Sequence, residues 1–167
     1  LLESITDSVI TYVKYQADSG AQVVQIFDSW ASEFSPADFD KYCLPYLTRI
    51  VREVKQTHPD LPLILYSSGS GGFLERLAST GADVISLDGT VDMADARARL
   101  GADQAVQGNM DPVHLFAKKE FIVDKVHDTI KKAGNKKHVM NLGHGVMQGT
   151  PEENVATFFQ TVRDYRY

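Results

Sequence analysis

Segments typical of β-strands and of α-helices alternate along the whole chain, and this order restricts the fold more than any other feature. Apolar runs at 22–27, 61–66, 83–87, 104–107 and 138–141 predict five strands, with helical patterns between them. No hairpin dipeptide joins one strand directly to the next, so we expect parallel strands connected by helices. A complete (β/α)8 barrel needs about 250 residues. The 167 residues here therefore fit either an open doubly wound sheet or the C-terminal part of a barrel.

The glycine-rich loop after the second predicted strand favours the barrel. Its residues, Ser67-Ser68-Gly69-Ser70-Gly71-Gly72, lack the G-x-G-x-x-G spacing of dinucleotide-binding folds, and no P-loop lysine follows. We therefore predict an α/β fold that forms the C-terminal part of a (β/α)8 TIM-type barrel, with five strand-helix units and residues 1–167 as a single-domain fragment. Because the chain begins at Leu1 without a methionine, we expect it to be a piece of a longer protein.

Three local patterns predict helix faces and helix starts. Apolar residues at helical spacing, Ile5, Val9, Val13 and Ala17, predict the buried face of the first helix. In the same way, Leu47, Ile50, Val51 and Val54 predict the buried face of a helix from Pro45 to His58. Capping residues predict helix starts at Ser35, at Asp92 and at Asp111-Pro112, the last opening a long helix that ends at Gly134. Residues 150–153, Thr-Pro-Glu-Glu, read as a capping box for the final helix.

Composition excludes several classes of protein. The net charge of -5 and the pI near 5.5 argue against binding to nucleic acids or to membrane surfaces. No run approaches the ~18 apolar residues of a membrane span. Cys43 is the only cysteine and lies on an apolar helical face, so we expect a buried thiol in a reducing compartment. It has no histidine at ligand spacing, which argues against a zinc site, and no G-x-S-x-G motif indicates a serine hydrolase.

Polar side chains follow the predicted strands at the edge where α/β proteins bind ligands. They are Asp28, Ser29, Ser67, Ser68, Asp88, Asn109 and His144. Every arginine lies on a predicted helix or in the C-terminal tail, so this rim has no permanent cation. A polyanionic substrate would need cations from elsewhere.

His144 is the strongest candidate among these residues. Gly143 and Gly145 flank it, whereas a core histidine would be enclosed by bulky residues, so we interpret it as a donor to an anionic or carbonyl oxygen. Ser29, Asp88 and Asn109 also have a structural interpretation, because Ser, Asp and Asn side chains bind nearby backbone where loops turn. The other histidines, His58, His114, His127 and His138, and the caps Asp92, Asp111 and Thr150 are interpreted as structural.

Four motifs give the chain a resemblance to a known family. They are Gln25-Ile26-Phe27-Asp28-Ser29-Trp30-Ala31, Ser86-Leu87-Asp88, Gln107-Gly108-Asn109-Met110-Asp111-Pro112 and Asn141-Leu142-Gly143-His144-Gly145. In order and spacing they resemble uroporphyrinogen decarboxylase, over about the C-terminal half of that family's barrel. The Ser-Gly-Ser-Gly-Gly-Phe-Leu-Glu-Arg run resembles the plastid and cyanobacterial branch. Gly89 is a departure, because the family usually has tryptophan there.

The resemblance implies an activity and a division of roles. The family removes carbon dioxide from the four acetate side chains of uroporphyrinogen III, giving coproporphyrinogen III, as a cofactor-free homodimer. It implies substrate contacts at Ser29 and His144, the histidine meeting the carboxylates. The family's catalytic aspartate, paired arginines and tyrosine are expected upstream of Leu1, which agrees with the cation-poor rim. A chloroplast protein is implied, or a cytoplasmic one if the source is bacterial.

Decarboxylation leaves an electron-rich carbon, and protonation of the pyrrole creates a cation that accepts those electrons. The reaction therefore needs an acid and an anionic group that stabilises the cation, and neither metal nor cofactor is required. One alternative is a zinc-dependent methyltransferase that acts on a corrinoid or thiol and is built on a related barrel. That class places His-x-Cys after one strand, where this chain has Tyr66-Ser67-Ser68. The other alternative is a non-catalytic binding module. We expect no activity from the isolated fragment, since half a barrel exposes two unpaired strand edges.

Overall fold

The computed structural model describes residues 1–134 and 136–166. Strands and helices alternate along the chain, as the sequence predicts. The chain divides into two compact units, Leu1–Ile85 and Ser86–Tyr167. No helix within the described residues combines the length and the apolar character needed to cross a bilayer.

The first unit combines a parallel strand pair with a helical layer. Its strands are β1 (Val24–Asp28) and β2 (Leu63–Ser67), and its helices are α1 (Leu2–Asp18), α2 (Pro36–Tyr42), α3 (Leu44–Thr57) and α4 (Leu74–Ser79). The two strands run parallel, with Val24 opposite Leu63 and Asp28 opposite Ser67. Every residue of β2 is buried. The next strand, β3 (Val84–Ser86), begins at the end of this unit.

The helical layer confirms one predicted face and changes another. On α3 the buried residues are those that the periodicity predicts: Leu47, Ile50, Val51 and Val54. On α1 the buried residues are instead Thr6, Ile10 and Val13. The predicted stripe is therefore wrong for Ile5, which is 49% exposed, and for Val9 and Ala17, which are only half-buried.

Ion pairs join α1 to α3 on the side of α1 that carries the buried Ile10. The Arg49 guanidinium of α3 donates to the Glu3 carboxylate at 2.7 Å and to the Asp7 carboxylate at 2.6 Å. Glu3 and Asp7 lie on the same side of α1 as Ile10, because residues three and four apart are neighbours on a helix. The ion pairs therefore lie on the side of α1 that packs against α3, and Ile5 lies on the other side.

The second unit packs two long helices against a short strand pair. Its elements are α5 (Met93–Leu100), β4 (Ala105–Gln107), a 3-10 helix (Pro112–Phe116), α6 (Lys119–Ala133), β5 (His138–Val139) and α7 (Glu152–Asp164). β4 and β5 pair in parallel. The core is a cluster of buried apolar side chains: Met110, Leu115, Ile122, Val126, Ile130 and Phe158.

The long helix predicted from Asp111 to Gly134 is two helices. The Asp111 carboxylate accepts the Val113 N–H at 2.9 Å, so it caps the 3-10 helix and not α6. The buried Asn154 amide donates to the carbonyls of Leu115 and Ala117, at 2.7 and 3.0 Å. Because a side chain occupies these carbonyls, the chain leaves the helix before α6 begins.

The caps at Ser35 and Asp92 are confirmed, whereas the capping box is wrong. Ser35 Oγ accepts the Asp38 N–H at 3.2 Å, and the Asp92 carboxylate accepts the Ala94 N–H at 2.9 Å. Thr150 Oγ1 instead donates to the Met147 carbonyl at 2.7 Å. The N-cap of α7 is therefore Pro151, which makes no side-chain cap.

Candidate functional site

The carboxyl ends of β1 and β2 present one of the two predicted substrate contacts. Ser29 directly follows β1 and its side chain is exposed. The Ser68 N–H donates to the Asp28 carbonyl at 3.1 Å, which continues the strand pairing to this edge. Burial raises the pKa of the Asp28 carboxyl, and the backbone N–H of Trp30 opposes that rise. Ser29 is thus held beside a partly desolvated acid at the end of a rigid strand.

Ser67 does not belong to this exposed rim. Its side chain is fully buried, and its Oγ has no hydrogen-bond partner. It lies opposite Asp28 in the ladder, on the same face of β2 as the buried Leu63 and Leu65. The hydroxyl therefore points into the core of the first unit.

In the second unit, Asp88 and Asn109 shape the loop that follows β3. The Asp88 carboxylate accepts the Thr90 N–H at 2.7 Å and the Thr90 hydroxyl at 2.5 Å. The Asn109 amide donates to the carbonyls of Asp88, at 2.8 Å, and Val91, at 2.6 Å. Both side chains are buried, and these bonds confirm their structural interpretation.

The loop that carries His144 is anchored through Gly143. The Gly143 N–H donates to the Met110 carbonyl at 2.8 Å. A Cβ added at Gly143 would lie 2.2 Å from the Gly89 nitrogen and 2.7 Å from the Asp88 carbonyl carbon. Only glycine allows two backbones to approach so closely. Gly143 is therefore required by packing, whereas a Cβ at Gly145 would meet nothing within 4 Å.

His144 itself is exposed at the end of this anchored loop. Its Nδ1 accepts the backbone N–H of Gly145 at 2.8 Å. A ring nitrogen that accepts a hydrogen bond carries no proton, so the proton of the neutral imidazole is on Nε2. Nε2 is therefore a hydrogen-bond donor, which suits a carboxylate or carbonyl oxygen.

Gly89 lies in the same tight contact. A Cβ at Gly89 would meet the Asp111 Cα at 3.3 Å and the Asp111 Cβ at 3.4 Å. These distances are shorter than nearly all real Cβ contacts, so a larger residue would push Asp111 by a few tenths of an ångström. At position 89, where the family usually has tryptophan, this chain has a glycine, and the backbone of Gly143 packs closely against it.

Two large apolar side chains also lie at the end of β1, and the sequence analysis, which considered only polar groups there, did not predict them. Phe27, two residues before Ser29, is 67% exposed, and Trp30, directly after Ser29, is 74% exposed. The Phe27 ring contacts the Tyr66 ring, with centroids 5.9 Å apart. Strand alternation could have indicated Phe27, because Val24 and Ile26 occupy the buried face of β1 and leave Phe27 on the other.

The structure also describes the surroundings of the remaining titratable candidates. No group of three or more His, Cys, Asp or Glu side chains in residues 1–134 and 136–166 could hold a metal ion. Cys43 is half-buried, and burial together with the Asp28 charge raises its pKa to about 11. His138 Nε2 is 2.7 Å from the Gly108 carbonyl, in agreement with its structural interpretation.

Comparison with known proteins identifies the family. The model of the family described as uroporphyrinogen decarboxylase (URO-D) matches residues 1–165. The chain belongs to the uroporphyrinogen decarboxylase family. Among the relatives in this family, "Uroporphyrinogen decarboxylase 2, chloroplastic" of Arabidopsis thaliana is 67% identical over all 167 residues, which cover 42% of that protein. "Uroporphyrinogen decarboxylase" of Nostoc punctiforme is 58% identical over 167 residues, 47% of its length. The chain spans about half the length of these uroporphyrinogen decarboxylases.

A solved structure supports the predicted fold class of this uroporphyrinogen decarboxylase family member. A methyltransferase from Methanosarcina mazei superposes on 95% of the chain and covers 47% of its own length, with a TM-score of 0.83. At 21% identity this likeness establishes the fold alone. The prediction of an α/β chain with the strand-helix order of a TIM-type barrel is confirmed.

Proposed function

We propose that the protein to which this chain belongs decarboxylates the four acetate side chains of uroporphyrinogen III, giving coproporphyrinogen III in tetrapyrrole biosynthesis. The observation that carries the proposal is the 58–67% identity over the whole chain with proteins named uroporphyrinogen decarboxylase. The described residues contribute substrate contacts. The groups that protonate the substrate and stabilise the developing charge are expected in the rest of the protein.

His144 is proposed to bind a substrate carboxylate. Support comes from its exposed position after β5 and from the Nδ1 contact with Gly145, which makes Nε2 a donor. Its loop is fixed by the contact of Gly143 with Gly89, so the donor is positioned before the substrate arrives. A preorganised donor avoids the entropic cost of ordering a flexible loop on binding.

Ser29 is proposed as a second substrate contact. Its exposed hydroxyl follows the last residue of β1, where the backbone is held by the Ser68 N–H. Phe27, two residues before it, and Trp30, directly after it, are exposed aromatic side chains. A tetrapyrrole has an apolar macrocycle and a polar, acidic periphery, so exposed aromatic rings next to a hydroxyl donor in the chain suit both parts of it.

The remaining statements about the whole protein rest on the family. We propose that residues 1–167 form the C-terminal part of one barrel domain, that the complete protein is a homodimer that needs no cofactor, and that it binds neither nucleic acid nor membrane. The Arabidopsis and maize relatives are named chloroplastic, which supports a chloroplast location for a plant protein. A bacterial source would imply the cytoplasm.

The role of His144 is testable in the complete protein with His144→Ala. Loss of a hydrogen bond to a charged group costs about 1.5–3 kcal/mol, which corresponds to a rise in KM of roughly 10- to 100-fold. We expect kcat to fall much less, because the proposed contact is made equally in the ground state and the transition state.

Two further variants complete this experiment. His127→Ala is the matched control, because His127 is an exposed histidine on α6 outside the strand ends. It should leave KM unchanged, and His144→Gln, which retains a side-chain donor, should recover part of the binding. An unchanged KM for His144→Ala would contradict the proposed role. For the isolated 167-residue chain we expect no carbon dioxide release from uroporphyrinogen.

A further inference from the structure

Two loops of the second unit meet at the residue before His144. Gly143 packs against the peptide group that joins Asp88 to Gly89, because a Cβ added at Gly143 would lie 2.2 Å from the Gly89 nitrogen and 2.7 Å from the Asp88 carbonyl carbon. The position of that peptide group therefore limits where the backbone of the next residue, His144, can lie. We call residues 88–91 the support loop.

The side-chain amide of Asn109 holds the support loop. Its Nδ2 donates to the Asp88 carbonyl at 2.8 Å and to the Val91 carbonyl at 2.6 Å. An amide NH2 group has two hydrogens, so these two bonds use both of its donors. The first bond is made to the carbonyl of the peptide group that Gly143 contacts, and the second to the last residue of the loop. Asn109 therefore fixes the support loop at both ends.

The backbone that follows Asn109 holds the His144 loop. The Met110 N–H donates to the Asn141 carbonyl at 3.2 Å, and the Met110 carbonyl accepts the Gly143 N–H at 2.8 Å. Asn109 is 7% exposed and Met110 is 3% exposed, so water competes little for these bonds. Two adjacent residues thus hold both loops, one through its side chain and the other through its backbone.

The bonds within the support loop set its shape but not its place in the unit. The Asp88 carboxylate accepts the Thr90 N–H at 2.7 Å, and the Val91 N–H donates to the Asp88 carbonyl at 3.4 Å. These bonds join residues only two or three apart. The bonds from Asn109 span 21 and 18 residues of sequence, so they tie the loop to the segment that also holds Gly143.

We propose that Asn109 is a positioning residue for His144: its amide holds the support loop where Gly143 packs, and so sets the position at which the imidazole meets a substrate carboxylate. A binding group keeps its productive geometry only when the residues around it are themselves fixed by packing and hydrogen bonds. The inference rests on the proposed function in its last step alone, the contact of His144 with substrate. The role assigned to Asn109 acts through His144 and involves no contact with the substrate.

Asn109→Ala in the complete protein tests this role. The substitution removes both donors, so we expect the support loop to shift and KM to rise about tenfold, since even a 1 Å misplacement of a binding group can cost about 100-fold. We expect kcat to change less than about threefold, because the contact is made equally in the ground state and the transition state. Asn109→Ser retains one donor and should raise KM less. An unchanged KM in either variant, once folded, would overturn the proposal.

Asn154→Ala is the matched control. Asn154 is 8% exposed, and its amide also donates to two backbone carbonyls, those of Leu115 and Ala117. The control therefore loses the same kind of bonds away from the support loop. We expect it to lower the urea midpoint about as much as Asn109→Ala and to leave KM within about twofold. Equal rises in KM for the two variants would show a general loss of stability and overturn the proposal.

A double substitution tests whether the effect passes through His144. When His144→Ala is already present, Asn109→Ala should change KM less than about twofold, because the group that Asn109 positions is absent. If the two single effects multiply in the double variant, Asn109 acts on some other substrate contact and the proposal is refuted.

Nuclear magnetic resonance gives a readout that does not depend on the proposed reaction. In the complete protein with isotope-labelled histidine, the ring signal of His144 is the one that disappears in His144→Ala. It should shift in Asn109→Ala and stay in place in Asn154→Ala, and an unmoved signal in Asn109→Ala would overturn the positioning role. If the unsubstituted protein releases no carbon dioxide from uroporphyrinogen, the proposed function fails, and the ring signal still decides the role of Asn109.

Discussion

Replacing Gly143 by alanine is expected to displace the His144 loop. The added methyl carbon would lie 2.2 Å from the Gly89 nitrogen and 2.7 Å from both the Gly89 Cα and the Asp88 carbonyl carbon. All three atoms belong to the backbone, so no side chain can rotate out of the way. The φ angle at Gly143 lies outside the range that strains an L-residue, so the effect comes from space alone.

The size of the effect follows from the overlap. An ordinary Cβ contact begins at 3.4 Å, so one of the two backbones must move by roughly 1 Å. Insertion of a methyl group into a closely packed site costs about 1–3 kcal/mol of unfolding free energy. His144 is the next residue, and a 1 Å misplacement of a binding group can lower kcat/KM about 100-fold.

Gly145→Ala is the matched control on the other side of His144. Its Cβ would meet nothing within 4 Å, and the backbone N–H that binds His144 Nδ1 is retained. We expect its unfolding free energy to stay within about 0.5 kcal/mol of the unsubstituted chain. Urea unfolding of the 167-residue chain measures stability, and steady-state kinetics of the complete protein measure kcat/KM. The reasoning is refuted if Gly143→Ala and Gly145→Ala give the same unfolding midpoint and the same kcat/KM.

Two further predictions concern stability. Arg97 donates to four backbone carbonyls at 2.6–3.0 Å. Arg97→Met should therefore lower the free energy of unfolding, measured in urea, by about 2–4 kcal/mol, whereas the control Arg99→Met should change it little. Equal losses for the two variants would contradict this prediction. Burial lowers the pKa of His138 from its usual 6.5, so the unfolded chain takes up the proton more readily. The free energy of unfolding should therefore fall as the pH drops below about 6.5. Urea titrations at several pH values should show a weaker pH dependence for His138→Gln. The same pH dependence in His138→Gln would contradict this prediction.

The fold was predictable because its signals are local. The apolar stripe of α3 appears in the sequence at helical spacing and is buried as predicted. The order of strands and helices could be predicted from the change in the spacing of apolar residues along the chain. The break between the 3-10 helix and α6 was not predictable in this way, because it depends on Asn154, which is 39 residues from Leu115.

The packing around the candidate site residues was not predictable from the sequence. Glycines on both sides of His144 appear equivalent in the sequence, yet only Gly143 is required by contact. The difference arises from Gly89, which is distant along the chain and is brought to Gly143 by the fold of the second unit. Ser67 is a second example of packing that the sequence did not reveal. As a polar residue at the end of a strand it was expected at the exposed rim, but it lies on the face of β2 that points into the core and is fully buried.

The difference on α1 has another origin. The stripe of Ile5 and Val9 follows helical periodicity, but the buried face of α1 carries Thr6, Ile10 and Val13, on the side where Arg49 pairs with Glu3 and Asp7. A sequence pattern reflects every contact that a chain makes in its complete protein, whereas the described residues can satisfy only those within themselves. Contacts within the first unit bury Thr6, Ile10 and Val13 of α1 and leave Ile5 and Tyr12 exposed.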